Sequence, residues 1–202
     1  MVTISTATRQ DVPRLADVLA RAFHDDPEFL WALPDPADRP RRLRRIFGTM
    51  LRHEVLRHGG AELAEDEDGQ RVLGAALWLP PGHWQEPALR QLLSLPGYLR
   101  GFGRRLGHGS ALLSSCAKVH PREPHWYLYA IGVAPEHQGA GAGAALLRSG
   151  LARCDRDRLP AYLESSKLSN VPLYQHFGFQ DTGRVDLPPD APEVTTMWRP
   201  AR

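Results

Sequence analysis

The sequence predicts a single mixed α/β domain over residues 1–202, on three observations. Apolar residues recur at strand spacing in some stretches and at helix spacing in others, and the two alternate along the chain. The stretch EHQGAGAGAALL, Glu136 to Leu147, sets three glycines on alternate positions between an aromatic strand pattern and a helix pattern. With 202 residues, 42% hydrophobic and 24% charged, the chain can bury one ordinary core and is too apolar for disorder.

The elements follow in order. Val2 to Thr6 is a short strand, and Thr8 with Asp11 has capping-box spacing, aspartate replacing the usual glutamate. Val12, Leu15, Ala16, Leu19 and Phe23 then share one helical face. His24 to Trp31 is an acidic and aromatic connector. Leu43, Ile46, Phe47, Met50, Leu51 and Val55 mark a second amphipathic helix, stopped by Gly59-Gly60. Ala61 to Ala64 and Val72 to Leu79 are two strands joined by the turn Asp66-Glu67-Asp68-Gly69. Residues 87–113 suggest broken helices, part of an insertion over about 83–120 that covers a site. Trp126 to Val133 is a strand, with Tyr127 and Tyr129 on one face and Trp126 on the other. The glycine loop opens a helix to about Cys154, and Ala161 to Ser165 is another strand. A short helix from about Asn170 to Phe177 tolerates Pro172 in its first turn and ends at Gly178, before strands at Phe179 to Asp186 and Val194 to Arg199.

Composition excludes several classes. No apolar run approaches the ~18 residues that span a bilayer, so no membrane role is expected. The start, MVTISTATRQDVPRLADVL, has neither a basic opening nor a compact apolar run, so no signal peptide is expected. Cys116 and Cys154 have neither metal-ligand spacing nor a disulfide framework, which suits a cytoplasmic protein. The nine histidines form no zinc pattern, so no metal is expected. Net charge is +2, with 23 Arg against two Lys. Arg41, Arg42, Arg44 and Arg45 alternate with Leu43, Ile46 and Phe47, a solvated helix face with an apolar back rather than a nucleic-acid surface.

A glycine-rich loop opening a helix is a natural phosphate site, because the first amides of a helix are free and its dipole favours anions there. A Walker A loop fails for want of a lysine after the glycines. The dinucleotide fingerprint matches as Gly139, Gly141 and Ala144, with Glu164 in the place of the ribose acid. Against it, Ala134 to Gln138 separate strand from glycines, and too little chain follows for further βαβ units.

Gln138-x-x-Gly141-x-Gly143 after a strand ending Ile131-Gly132-Val133 resembles the acetyl-CoA motif of the GNAT superfamily of N-acetyltransferases. Leu163-Glu164-Ser165-Ser166 and Asn170 to Phe179 resemble its second signature. His120-Pro121-Arg122-Glu123-Pro124 before Trp126-Tyr127-Leu128, with Gly132 to Gly139 after it, is most similar to the puromycin N-acetyltransferase group. The resemblance implies a mixed, mostly antiparallel sheet of about six or seven strands flanked by helices, with a splayed central strand pair. It implies acetyl-CoA as cofactor, its pyrophosphate on Gln138, Gly139, Ala140, Gly141, Ala142 and Gly143, and its arm along Ile131, Gly132 and Val133.

Asn170 and Tyr174, four apart, share a helix face. By resemblance, Asn170 touches the cofactor arm and the Tyr174 hydroxyl sits beside the thioester sulfur as a general acid. The alternative for Tyr174 is a core aromatic. Glu164, on the strand facing the slot, is the first candidate for the base that frees the amine; otherwise it is a structural carboxylate paired with an arginine. Asp25, Asp26 and Glu28 could attract a cationic acceptor or take its proton, or be surface charge and a helix cap. A backbone N–H, that of Val133, would steady the carbonyl oxygen. Trp31, Trp84, Trp126, Tyr127 and Tyr129 could line an acceptor pocket or fill the core. Cys116 has no activating histidine in view, and His137 shapes the phosphate loop or is exposed.

The expectation is an acetyl-CoA-dependent N-acetyltransferase acting on the primary amine of a small molecule, an aminonucleoside or other amine antibiotic, hence antibiotic resistance. Protein or peptide acetylation and a non-catalytic CoA sensor are the alternatives. Homodimers are common among relatives, with no interface legible here.

Overall fold

The computed structural model describes residues 2–202. The chain runs β1 (Thr3–Thr6), α1 (Val12–Ala22), α2 (Pro27–Ala32), α3 (Arg39–Met50), β2 (Ala61–Glu65), β3 (Val72–Leu79), α4 (Ala88–Phe102), α5 (Leu106–Val119), β4 (Trp126–Val133), α6 (Ala142–Asp157), β5 (Ala161–Ser165), α7 (Val171–His176), β6 (Gln180–Arg184) and β7 (Thr195–Arg199). Seven strands form one sheet in the order β1-β2-β3-β4-β5-β7-β6. Among the described residues, only the β4–β5 pair is parallel.

Local chemistry explains the helix starts. The Asp11 carboxylate accepts the Thr8 N–H at 2.8 Å and its hydroxyl at 2.7 Å, the reciprocal half of the expected box. The connector expected over His24 to Trp31 instead contains α2. Asp26 accepts the Glu28 N–H at 3.0 Å and Pro27 occupies the first turn, so a cap and a preset φ suffice for six helical residues. The second amphipathic helix does not stay α-helical to its end. Leu51–Val55 is a π turn, followed by a 3-10 turn and Gly59 at φ +64°. Beyond Phe102 the expected broken helices continue as α5 to Val119, further than the sequence pattern indicated.

Both sheet faces are covered. Leu15 and Leu19 of α1 and Leu43 and Phe47 of α3 bury against Leu63 and Leu77. On the other face, Leu146, Leu147 and Leu151 of α6 bury against Trp78, Leu128 and Leu163. The helices α4 and α5 lie outside the first layer. The α4–α3 contact is close: a Cβ at Gly101 would fall 2.5 Å from Ile46 Cγ1.

Two features of β4 position the site. Its partners on β3 jump from Leu77↔Ala130 to Trp78↔Leu128, so Tyr129 is an extra residue, a β-bulge. The bulge resets the alternation: Tyr127, Tyr129 and Ala130 meet the α1/α3 layer, while Leu128, Ile131 and Val133 meet the α6 layer. Pairing with β5 is limited to Trp126↔Ala161 and Tyr127↔Tyr162, beyond which the strands part. The splayed pair expected from the resemblance is therefore present.

Trp78 is fully buried, and a Cβ on Gly150 would lie 2.3 Å from its ring. Gly150→Ala should overpack this contact and cost about 1–3 kcal/mol in urea unfolding; an unchanged midpoint would show that α6 shifts freely on the sheet.

Candidate active site

Where β4 leaves β5, its outer edge lacks a strand partner. Ala134 N–H donates to Leu73 O at 2.9 Å, toward β3, so by strand alternation the N–H of Val133 and of Ile131 face the gap. Val133 O, on the same side, accepts Gln138 Nε2 at 3.2 Å. A cavity of about 270 Å³ occupies this gap, lined by Ile131, Val133, Gln138, Gly143, Asn170 and Tyr174 among others. With Gly132, seven residues expected to hold the cofactor thus meet at one cavity.

The loop beside it fits a phosphate. Gly139 and Gly141 have φ of +80° and +84°, and nothing lies within 4 Å of a Cβ at either, so packing does not explain them. Among the described residues, the N–H groups of Gly139, Ala140 and Gly141 have no backbone acceptor. Ala142 and Gly143 open α6, where first-turn amides are free. A Cβ at Gly143 would meet only Val133 Cγ2, at an ordinary 3.5 Å, so the fold does not require glycine there. Gly132 differs: a Cβ would lie 2.7 Å from Ala22, so this glycine admits α1.

Tyr174 lies on α7 with 6% exposure, at the wall of the gap. Burial, then the nearby Asp26 charge, push its hydroxyl well above the usual tyrosine value, which keeps it a proton donor. Asp26 also faces the gap and is spent on structure: besides capping α2 it accepts Ser166 Oγ at 2.6 Å. Burial nevertheless raises its carboxyl. Asp25 is exposed and pairs with Lys167 at 2.7 Å, a hydrogen bond that holds its carboxyl low.

On the α1/α3 side of β4, two adjoining cavities of about 610 and 120 Å³ share Tyr98, Phe102, Cys116, Tyr127 and Tyr129 as walls. The smaller shares Phe23 with the cofactor gap and holds Glu28 and Glu164. Glu28 is raised well above its usual value by burial and by the charges of Asp26 and Glu164. Glu164 is not paired with an arginine. Tyr127 donates to its Oε2 at 2.5 Å, and its Oε1, buried, has no hydrogen-bond partner. Trp84 and Tyr129 line the larger cavity. Trp31 stands apart, donating to Asp190 at 3.0 Å with its ring against His108. Trp126 faces the α6 core and donates to Asp157 at 2.9 Å. The Cys116 thiol is pushed up by burial and so stays un-ionised at the cavity wall.

Sequence reasoning missed two groups. Glu54, within the π turn, reaches the larger cavity; Tyr98 donates to it, and burial raises its carboxyl. An α-helical pattern puts Glu54 beside Leu51 and Val55 with no sign of this. His120 closes the cavity at the other end, stacked on Trp84 at 3.9 Å. Its signal was the HPREP stretch, which carried a resemblance and no role.

Known proteins match this arrangement. The profile of the Acetyltransferase (GNAT) family matches residues 19–179. An uncharacterized N-acetyltransferase of Schizosaccharomyces pombe is 30% identical over 179 residues, 84% of this chain and 71% of that protein. A Corynebacterium glutamicum structure, described as histone acetyltransferase HPA2 and related acetyltransferase, aligns with TM-score 0.78 at 30% identity over 100% of this chain and 97% of that one. A mycothiol acetyltransferase of Streptomyces griseus is 38% identical over 73 residues, 35% of this chain and 24% of that protein. The chain belongs to the GNAT family of acetyltransferases, enzymes that use acetyl-CoA.

Proposed function

We propose that this enzyme acetylates the primary amine of a cationic small molecule with an apolar or aromatic body. One observation carries the reading. The paired cavities under α4 and α5 are walled by Trp84, Tyr98, Tyr127 and Tyr129 and hold Glu54, Glu28 and Glu164, while no Arg or Lys lines either. Such a wall attracts a cation electrostatically and through ring faces. An aminonucleoside or other amine antibiotic fits this description, and the resemblance of 120–180 to the puromycin N-acetyltransferase group favours it. The Corynebacterium relative's name speaks for a protein acceptor; the roof formed by α4 and α5 favours a small one.

Acetyl-CoA supplies the acetyl group as an activated thioester. Around it the chain's residues have separate tasks. The amides of Gly139 to Gly143 hold the pyrophosphate, and Ile131, Val133 and Asn170 hold the arm. The Val133 N–H, turned to the gap, steadies developing charge on the carbonyl oxygen. Glu164 takes the proton of the acceptor ammonium, leaving nitrogen its lone pair for attack. Tyr174, kept protonated by burial, gives a proton at the sulfur. Asp25 and Asp26 draw a cationic acceptor toward the gap, Asp26 from its inner wall.

Tyr174→Phe should lower turnover about 10²–10⁴-fold, read as CoA thiol released with puromycin and a panel of arylalkylamines, while calorimetry finds acetyl-CoA binding retained. Undiminished turnover would remove Tyr174 from the chemistry; absence of turnover in the native enzyme beside intact binding would support a sensor. Gly143→Ala should weaken acetyl-CoA binding and leave the melting temperature unchanged, whereas equal affinity would show that no phosphate lies against that position. Glu54→Gln should raise KM for a cationic amine about tenfold with kcat little changed; an unchanged KM would place the acceptor elsewhere.

A further inference from the structure

Three histidine and carboxyl groups behind the acceptor cavity constrain one another's protons. His125 Nδ1 lies 2.6 Å from the backbone oxygen of Glu123, which can only accept, so Nδ1 carries a proton. His125 is buried, which lowers its imidazole and keeps it neutral, so its Nε2 is a lone pair. That lone pair stands 3.0 Å from Nε2 of His120, which must therefore donate. His120 Nδ1 then faces Glu164 Oε1 at 3.6 Å, both side chains at most 6% exposed. At that separation the two are in ion-pair contact rather than hydrogen-bonded. A bare ring nitrogen against an ionised carboxylate would be repulsive, and the other donor beside Glu164 is the Tyr162 hydroxyl, buried and without a hydrogen bond of its own.

We propose that His120 and Glu164 hold one proton between them, because His125 fixes the His120 tautomer, and that this pair is the base serving the acceptor amine. The base role rests on the function proposed above; the shared proton rests on these contacts and on the burial that keeps His125 neutral. Loss of the shared proton to water arms the pair, leaving the Nδ1 lone pair and the carboxylate facing an empty gap. In the transfer an N–H bond of the ammonium breaks, its electrons stay on nitrogen, and the proton refills the gap on Oε1 or Nδ1. His125 is a positioning residue, reaching the substrate only through His120.

The groups facing the pair are Glu28 from α2, Cys116 from α5, Tyr127 from β4 and Tyr162 from β5. Burial first, then the Glu164 charge, push Tyr127 and Tyr162 upward, so neither competes for the role of base. Tyr127, through its 2.5 Å bond to Oε2, leaves Oε1 as the oxygen that shares the proton.

Imidazole ¹⁵N and carboxyl ¹³C spectroscopy of the full chain, without substrate, tests the pair independently of the acceptor. The expected result is a proton on His120 Nε2 at neutral pH, with one further proton on either His120 Nδ1 or the Glu164 carboxyl and not on both. In His125→Phe the Nε2 proton should be lost and the ring should donate from Nδ1 instead. A native His120 whose sole proton is on Nδ1, or an unprotonated Nδ1 beside an ionised Glu164, would overturn the proposal even if the variant fails to fold. A shared proton found together with no acetyl transfer to any amine would fault the acceptor reading and leave the pair standing.

Discussion

The structure depends on one constraint, the parting of β4 from β5. A parallel pair that stops after two residue pairs leaves half a strand of amides and carbonyls in a covered interior, which is costly unless something pairs with them. The bulge at Tyr129 sits where pairing stops, and a bulge bends its strand, so the same extra residue opens the gap and re-aims the side chains beside it. A ligand arm carrying amides satisfies the exposed edge as a further strand would. On the proposed function, the acetyl donor takes the place of a missing strand of the sheet.

The reaction centre is then a meeting of two cavities that would otherwise lie on different sides of β4. Phe23, at the end of α1, belongs to both walls. The donor side is built from backbone, glycines, Gln138, Asn170 and one tyrosine, with Lys167 and Asp26 as its charged groups, Asp26 being held by a helix cap and a serine. The acceptor side is built from rings and carboxyl groups that burial drives toward their neutral forms until a cation arrives. On the proposed function, a protonated amine is favoured at the outer cavity and its base stands near the donor gap.

Most of the fold was legible because its elements are strongly periodic. Each of the seven strands was bounded to within a few residues by alternation and flanking turns. The loop was legible too, since Gly139 and Gly141 need their glycine for positive φ and a Cβ at Gly143 would meet only Val133 Cγ2, at an ordinary contact distance. What stayed hidden depends on register. Neither the Tyr129 bulge nor the π turn at Leu51–Val55 changes the composition, yet the bulge puts Ala130 on the same face as Tyr129, which alternation did place, and Glu54 reaches the cavity from the π turn. The His120 tautomer depends on a backbone carbonyl and a second ring, which no spacing encodes. Asp25 and Asp26, adjacent and alike in sequence, diverge because one caps α2 from inside and the other meets Lys167 at the surface.

The central claim is that the β4 edge and the glycine loop together hold acetyl-CoA. Amide hydrogen exchange resolved by residue, with acetyl-CoA and with NADH, tests it most directly. The account predicts slowed exchange at Gly139 to Gly143 and at Ile131 and Val133 on adding acetyl-CoA, and none on adding NADH. Binding of acetyl-CoA that leaves those amides exchanging as before, or protection by NADH alone, would contradict it.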